Sequence, residues 1–170
     1  VILKAARDIT GESAFYIIGS AAILHIFDGS ETNLLTRSVE ADLIALSGDP
    51  EIADTLSVIM GELSPFHAKH HVYADGLTFD TPAYAPPGWQ ERAVEVHYKD
   101  IGVTAHFMEL HDLFLSKLGA GRPKDLEFCE ALAHSGYVSN TELESGLPTV
   151  QCTTAQRKLL GQRIRQMFSN

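Results

Sequence analysis

Glu40-Ala41-Asp42 is the most chemically loaded triplet in the chain. Residues two apart on a β-strand point to the same face, so both carboxylates would look one way and Ala41 the other. Adjacent carboxylates repel unless a cation lies between them. Hard divalent ions such as Mg²⁺ take such oxygen ligands and keep room for substrate phosphates. The plainer reading is a solvated strand edge, which the apolar Leu43-Ile44-Ala45-Leu46 that follows disfavours. Gly19-Ser20 is the second feature, set between the apolar run Phe15-Tyr16-Ile17-Ile18 and a helical stretch. Backbone N–H groups at a helix start attract anions, and glycine lets a phosphate approach the backbone. The same dipeptide also serves as an ordinary helix cap. The third feature runs from Lys117 to Asp125. Lys117 ends one helix, Gly121 is a natural left-handed stop and Pro123 opens the next helix. Arg122, Lys124 and Asp125 therefore gather at a helix start, where a phosphate is welcome. Capping plus an Asp125–Arg122 pair is the simpler use of the same residues.

Other polar residues have smaller claims. His67-x-x-His70-His71 has a metal-compatible spacing, but histidines just before a strand read more simply as surface groups. Trp89, after Pro86-Pro87-Gly88, either covers one edge of a site or packs its loop onto the core. No HExxH, GxSxG, GxGxxG or Walker loop is present, so zincin and α/β-hydrolase chemistry are not expected. After Glu144 the only charges are Arg157, Lys158, Arg163 and Arg165. On a helix, Lys158 and Arg165 share a face with Arg157 nearby, which would suit RNA phosphates or simply a solvated surface.

These groups need elements to hold them. Residues 2–8 read as a helix and 15–18 as a buried strand. Ser20 is expected to cap a helix over 21–27 that stops at Asp28-Gly29. Val39 to Leu46 reads as a strand, and Pro50 opens a helix whose Ile52, Leu56, Ile59, Met60 and Leu63 follow a 3.6-residue period. His70 to Ala74, Ala93 to Tyr98 and Thr104 to Met108 are further strands. Pro82, Pro86, Pro87 and Gly88 make a long connecting loop. From Leu110 onward the periodicity is helical, over three or four helices. The expectation is an α/β core over 1–109 with a helical part over 110–170 packed on it as one compact unit.

Composition bounds the function. With 170 residues, 45% apolar and 21% charged, the chain can form a sizeable core without disulfides. No apolar run is long enough to span a membrane. Val1 to Asp8 carries charges among its apolar residues and no small-residue cleavage site, so it is not read as a signal peptide. Two widely spaced cysteines, Cys129 and Cys152, fit a reducing cytoplasm and no cysteine zinc site. The net charge of −9 lies wholly in residues 1–100, which hold 15 acids and 6 bases. An acidic body suits carboxylate-held metal and not a protein that coats DNA.

Gly19-Ser20, Arg37-Ser38-x-Glu40-x-Asp42 and Lys117-Leu118-x-Ala120-x-x-x-Lys124-Asp125 together resemble the nucleotidyltransferase superfamily of the polymerase-beta type. In particular, they are similar to a prokaryotic group related to AbiEii-type abortive-infection toxins. The likeness continues through Gly61-Glu62-Leu63-Ser64-Pro65-Phe66-His67, Tyr73-Ala74-Asp75-Gly76, Pro86-Pro87-Gly88-Trp89-x-x-Arg92 and His111-Asp112-Leu113, covering residues 2–147. The resemblance implies a mixed sheet flanked by helices and transfer of a nucleoside monophosphate from an NTP to a hydroxyl. Gly19 and Ser20 would hold the triphosphate with Lys117, Arg122 and Lys124 near it. Glu40 and Asp42 would hold Mg²⁺, Lys117 would neutralise phosphate charge, and Asp125 would act as a base or an orienting acid. The wider superfamily has Asp where this chain has Glu40, although the toxin-related group often carries Glu. A third carboxylate, if there is one, would be Asp75, Asp80 or Glu95. The acceptor would be RNA, a protein or a small molecule, and an antitoxin would be a natural partner. The alternative is a catalytically silent nucleotide-binding or protein-interaction module. Convergence of Glu40, Asp42, Lys117 and Asp125 on one cleft separates the two.

Overall fold

The computed structural model describes residues 1–27, 34–36 and 38–169. Asp28-Gly29 and Arg37 of the sequence motifs lie outside the described residues. Five strands, β1 (Ala14–Ile18), β2 (Glu40–Ala45), β3 (Tyr73–Gly76), β4 (Val94–Tyr98) and β5 (Val103–Phe107), form one mixed sheet in the order β3-β2-β1-β5-β4. β1 pairs antiparallel with β2 and parallel with β5; β2 pairs parallel with β3, and β4 antiparallel with β5. Alternation along the strands divides the side chains between two cores. Phe15, Ile17, Ala41, Leu43 and Ala105 face α1 (Ile2–Thr10) and α2 (Pro50–Met60), where Leu56 and Met60 close the layer. Ile18 and Ile44 face the opposite way, into a larger core with the C-terminal helices.

Those helices are α5 (Leu110–Ala120), α6 (Pro123–His134), α7 (Asn140–Gly146) and α8 (Thr154–Phe168). Their apolar stripes converge through Leu113, Phe114, Leu118, Phe128, Leu132, Leu143, Leu160 and Ile164. The sheet followed by a helical C-terminal part is therefore the architecture expected from the sequence. Start signals act as anticipated at α2, where Pro50 follows Asp49, whose carboxylate accepts from the Glu51 N–H at 2.9 Å. Among the described residues no helix is long and apolar enough to cross a membrane.

Three expectations change. His70 belongs to a helix, α3 (Pro65–His70), because Ser64 caps it through the His67 N–H and Pro65 supplies its first turn; the strand begins only at Tyr73. Ser20 is not a cap: Gly19–Ile26 is a 3₁₀ helix that starts at Gly19, with Ile18 in the cap position and no side-chain cap bond. Leu63, expected on the apolar face of α2, lies beyond the end of that helix at Met60 and is exposed. Trp89 opens a short helix, α4 (Trp89–Arg92), and packs into the core edge-on against Tyr16 of β1, one of the two roles expected of it.

Candidate active site

β2 carries the first two acids. Ala41 lies in the core under α2, so Glu40 and Asp42 point to the other face with Ile44, toward the C-terminal helices. The parallel register places Asp75 beside Asp42 and Tyr73 beside Glu40. One carboxylate oxygen each from Glu40, Asp42 and Asp75 lies within 4.8 Å of the others, the only such gathering of three metal-ligating groups among the described residues. Of the three candidates for a third acid, Asp75 is the one brought there. Asp80 is exposed and accepts from the Thr78 hydroxyl at 2.6 Å. Glu95 is on β4, at the other end of the sheet, against His97 and His106.

The electrostatics follow from this crowding. Burial, with the charge of Glu40 behind it, pushes the Asp42 carboxyl up to about 6, while Lys117 and Lys124 pull in the opposite sense. Burial and Glu40 likewise raise Asp75. Partial burial and the charge of Glu40 push the Tyr73 phenol up to about 12. Gly19 has φ +65°, and a Cβ there would sit 2.0 Å from Asp42 Oδ2. Glycine is thus required for the approach of the Asp42 carboxylate itself, not only for that of a ligand.

Helices α5 and α6 supply the opposite charge. Lys117, in the last turn of α5, reaches Asp125 Oδ1 at 3.3 Å and lies over the Phe128 ring at 4.8 Å. Arg122 grips the same carboxylate with Nε at 2.6 Å and Nη2 at 3.1 Å. Asp125 has no exposed surface, yet these partners outweigh its burial and hold its carboxyl below the usual value. Asp125 therefore stands behind the cations, while Lys117, Arg122 and Lys124 line a cleft of about 540 Å³ with Gly19, Ser20, Ser38, Glu40 and Asp42. That volume suits a small organic ligand.

The remaining polar features separate from this cleft. His67 Nδ1 accepts from the Leu63 N–H and its ring lies against Tyr73, and His70 packs on Phe66. Arg157 does not join Lys158 on an outer face; it turns back to the Val150 carbonyl at 2.9 Å. Arg163 instead reaches the Gly121 turn, next to Arg122. Sequence reasoning missed the cleft residues Ser116 and Tyr84, for which short-range spacing carries no signal; Ser38 and Tyr73 belong to the stretches that carry the resemblance, with no role assigned to them there.

A mixed sheet bearing strand carboxylates across a cleft from helix-borne cations has the layout expected of the nucleotidyltransferase superfamily. The family described as "Nucleotidyltransferase of unknown function (DUF6036)" matches residues 2–157, and the chain belongs to it. No curated protein and no solved structure matches the chain.

Proposed function

We propose that the chain is an active, Mg²⁺-dependent nucleotidyltransferase that moves a nucleoside monophosphate from an NTP to a hydroxyl acceptor on RNA or a protein. The observation that carries this is the convergence of Glu40 and Asp42, with Asp75 beside them, and of Lys117, Arg122 and Lys124 on one cleft, which also favours activity over a silent module. The donor set fits a hard divalent ion: three carboxylates crowd together, and the burial and repulsion that raise Asp42 are what a cation offsets. Glu40 and Asp42 would hold the ion, with Asp75 within reach. When bound, it would supply Lewis-acid polarisation of the phosphate oxygens.

The chain's own residues do the rest. Gly19 and Ser20 border the triphosphate, and Lys117, Arg122 and Lys124 neutralise its charge from the helical side. The acceptor oxygen forms a bond to the α-phosphorus and gives up its proton to solvent, the bond to the β-phosphate bridge breaks, and pyrophosphate leaves with its electron pair. Asp125, fully buried and occupied by two cations, is a positioning residue for Lys117 and Arg122 rather than a base. In domain terms, residues 1–109 form the catalytic α/β core and 110–170 the helical part that closes the cleft. Kinship with AbiEii-type toxins, an antitoxin partner and a cytoplasmic site of action belong to the same reading.

The test is incubation with each α-labelled NTP, Mg²⁺ and total cellular RNA or cell protein. Label transferred by the wild type and absent with Asp42→Asn supports the proposal. No transfer to any acceptor, with all four NTPs, returns the chain to the silent reading.

A further inference from the structure

The lining of the cleft is only partly charged. Leu77, Pro82, Tyr84, Met108 and Leu113 share it with the carboxylates and cations. Met108 and Leu113 are about 1% exposed, whereas Tyr84 is half-buried. A polyphosphate alone has no use for such a wall; a flat aromatic group does.

The position of Tyr84 is fixed from both sides. Its ring crosses α5 at Gly119, where a Cβ would sit 2.5 Å from Tyr84 Cβ and Cγ, so the absence of a side chain at 119 lets the ring lie down on the helix. The loop that carries it is a chain of turns: the Thr81 N–H donates to the Thr78 carbonyl, Ala83 to Thr81, and Ala85 to Pro82. Arg92 then ties the loop's end, donating from Nη2 to the Pro86 and Pro87 carbonyls. Arg92 is itself held by Asp112 of α5, through Nε at 2.8 Å and Nη2 at 3.0 Å. The wall and the helix bearing Lys117 are thereby one rigid frame.

Resting on the nucleotidyltransferase reading, we infer that Tyr84 is the surface on which the nucleobase of the NTP stacks. Stacking tolerates any base, because every base has a π-face, so Tyr84 strengthens binding of all four nucleotides without choosing among them.

The experiment measures equilibrium binding of ATP, GTP, CTP, UTP and inorganic tripolyphosphate, with Mg²⁺, to the full chain and to Tyr84→Phe, Tyr84→Leu and Tyr84→Ala. Expected is a roughly tenfold loss for every NTP in the Leu and Ala variants and near-wild-type binding in Tyr84→Phe. Tripolyphosphate affinity stays constant throughout, which also shows that each variant keeps a folded site. Nucleotide affinity unmoved by Tyr84→Leu and Tyr84→Ala overturns the stacking role while leaving the nucleotidyltransferase reading intact. Failure of the wild type to bind tripolyphosphate or any nucleotide overturns both.

Discussion

At the residue scale, Asp42 sets the chemistry and the pH response of the site. Its carboxyl is raised to about 6 in the folded protein against an ordinary 3.8, so the protonated form is the one that folding favours. The associated stability is fully present below pH ~4 and is lost as pH rises through ~6. At about 1.4 kcal/mol per pH unit, the cost at neutral pH is on the order of 3 kcal/mol. Asp42→Asn is therefore expected to stabilise the metal-free protein at pH 7.5 and to do little at pH 4, as read by urea denaturation at the two pH values. The same change should abolish any rise in Tm on adding Mg²⁺. Gly19→Ala tests the neighbouring contact: with φ +65° and a Cβ 2.0 Å from Asp42 Oδ2, the variant is expected to lose about 1–3 kcal/mol. A Gly19→Ala protein as stable and active as wild type would contradict the close packing of that turn on Asp42.

At the element scale, α5 and α6 are joined to the site by buried charge. Lysines at helix ends are ordinarily exposed, and their removal ordinarily spares stability. The Lys117 side chain is only 11% exposed, and it shares a fully buried carboxylate with Arg122. Lys117→Ala is thus expected to lower turnover sharply and also to cost about 1–3 kcal/mol, since Asp125 keeps Arg122 but loses one partner. Comparing kcat with unfolding free energy across Lys117→Ala and Lys117→Met separates the two effects. The Arg92–Asp112 pair binds α4 to α5 in a similar way. Burial raises the Asp112 carboxyl and Arg92 pulls it back. Arg92→Ala should cost about 2 kcal/mol, tempered by the partial exposure of Arg92, and less in an Asp112→Asn background, as a double-mutant cycle would measure.

At the scale of the whole molecule, a chain of net charge −9 places several cations beside the cleft. Lys124 and Arg122 border the cleft, and Arg163 of α8 comes up beside the Gly121 turn. If RNA is the acceptor, its phosphates meet this rim first. Arg163→Gln should then weaken RNA binding and flatten its salt dependence between 50 and 200 mM, by about one counterion's worth of slope. Arg157→Gln should not, because that side chain is engaged with the Val150 carbonyl. Filter binding of tRNA-sized RNA checks the pair; equal effects of both substitutions would disconnect the rim from the acceptor.

Local information determined much of this protein. Alternation of Glu40-Ala41-Asp42 with the apolar run after it fixed a strand whose two acids share a face. Pro50, Pro123 and Gly121 fixed where helices begin and end, because capping and φ preferences act within a few residues. Signals that compete locally were misread: Ser64-Pro65 started a helix that absorbed His70, and Gly19 rather than Ser20 began the 3₁₀ turn. Only the tertiary structure decided which residues meet. Asp75 joined the site, instead of Asp80 or Glu95, because β3 pairs with β2 in a register that sets it beside Asp42. Gly19 proved to be spacing for Asp42, Asp125 to be buried behind its cations, and Tyr84 to be laid across Gly119. Each of these depends on strand pairing or helix docking between segments far apart in the chain, where side-chain type and short-range spacing carry no information about distance.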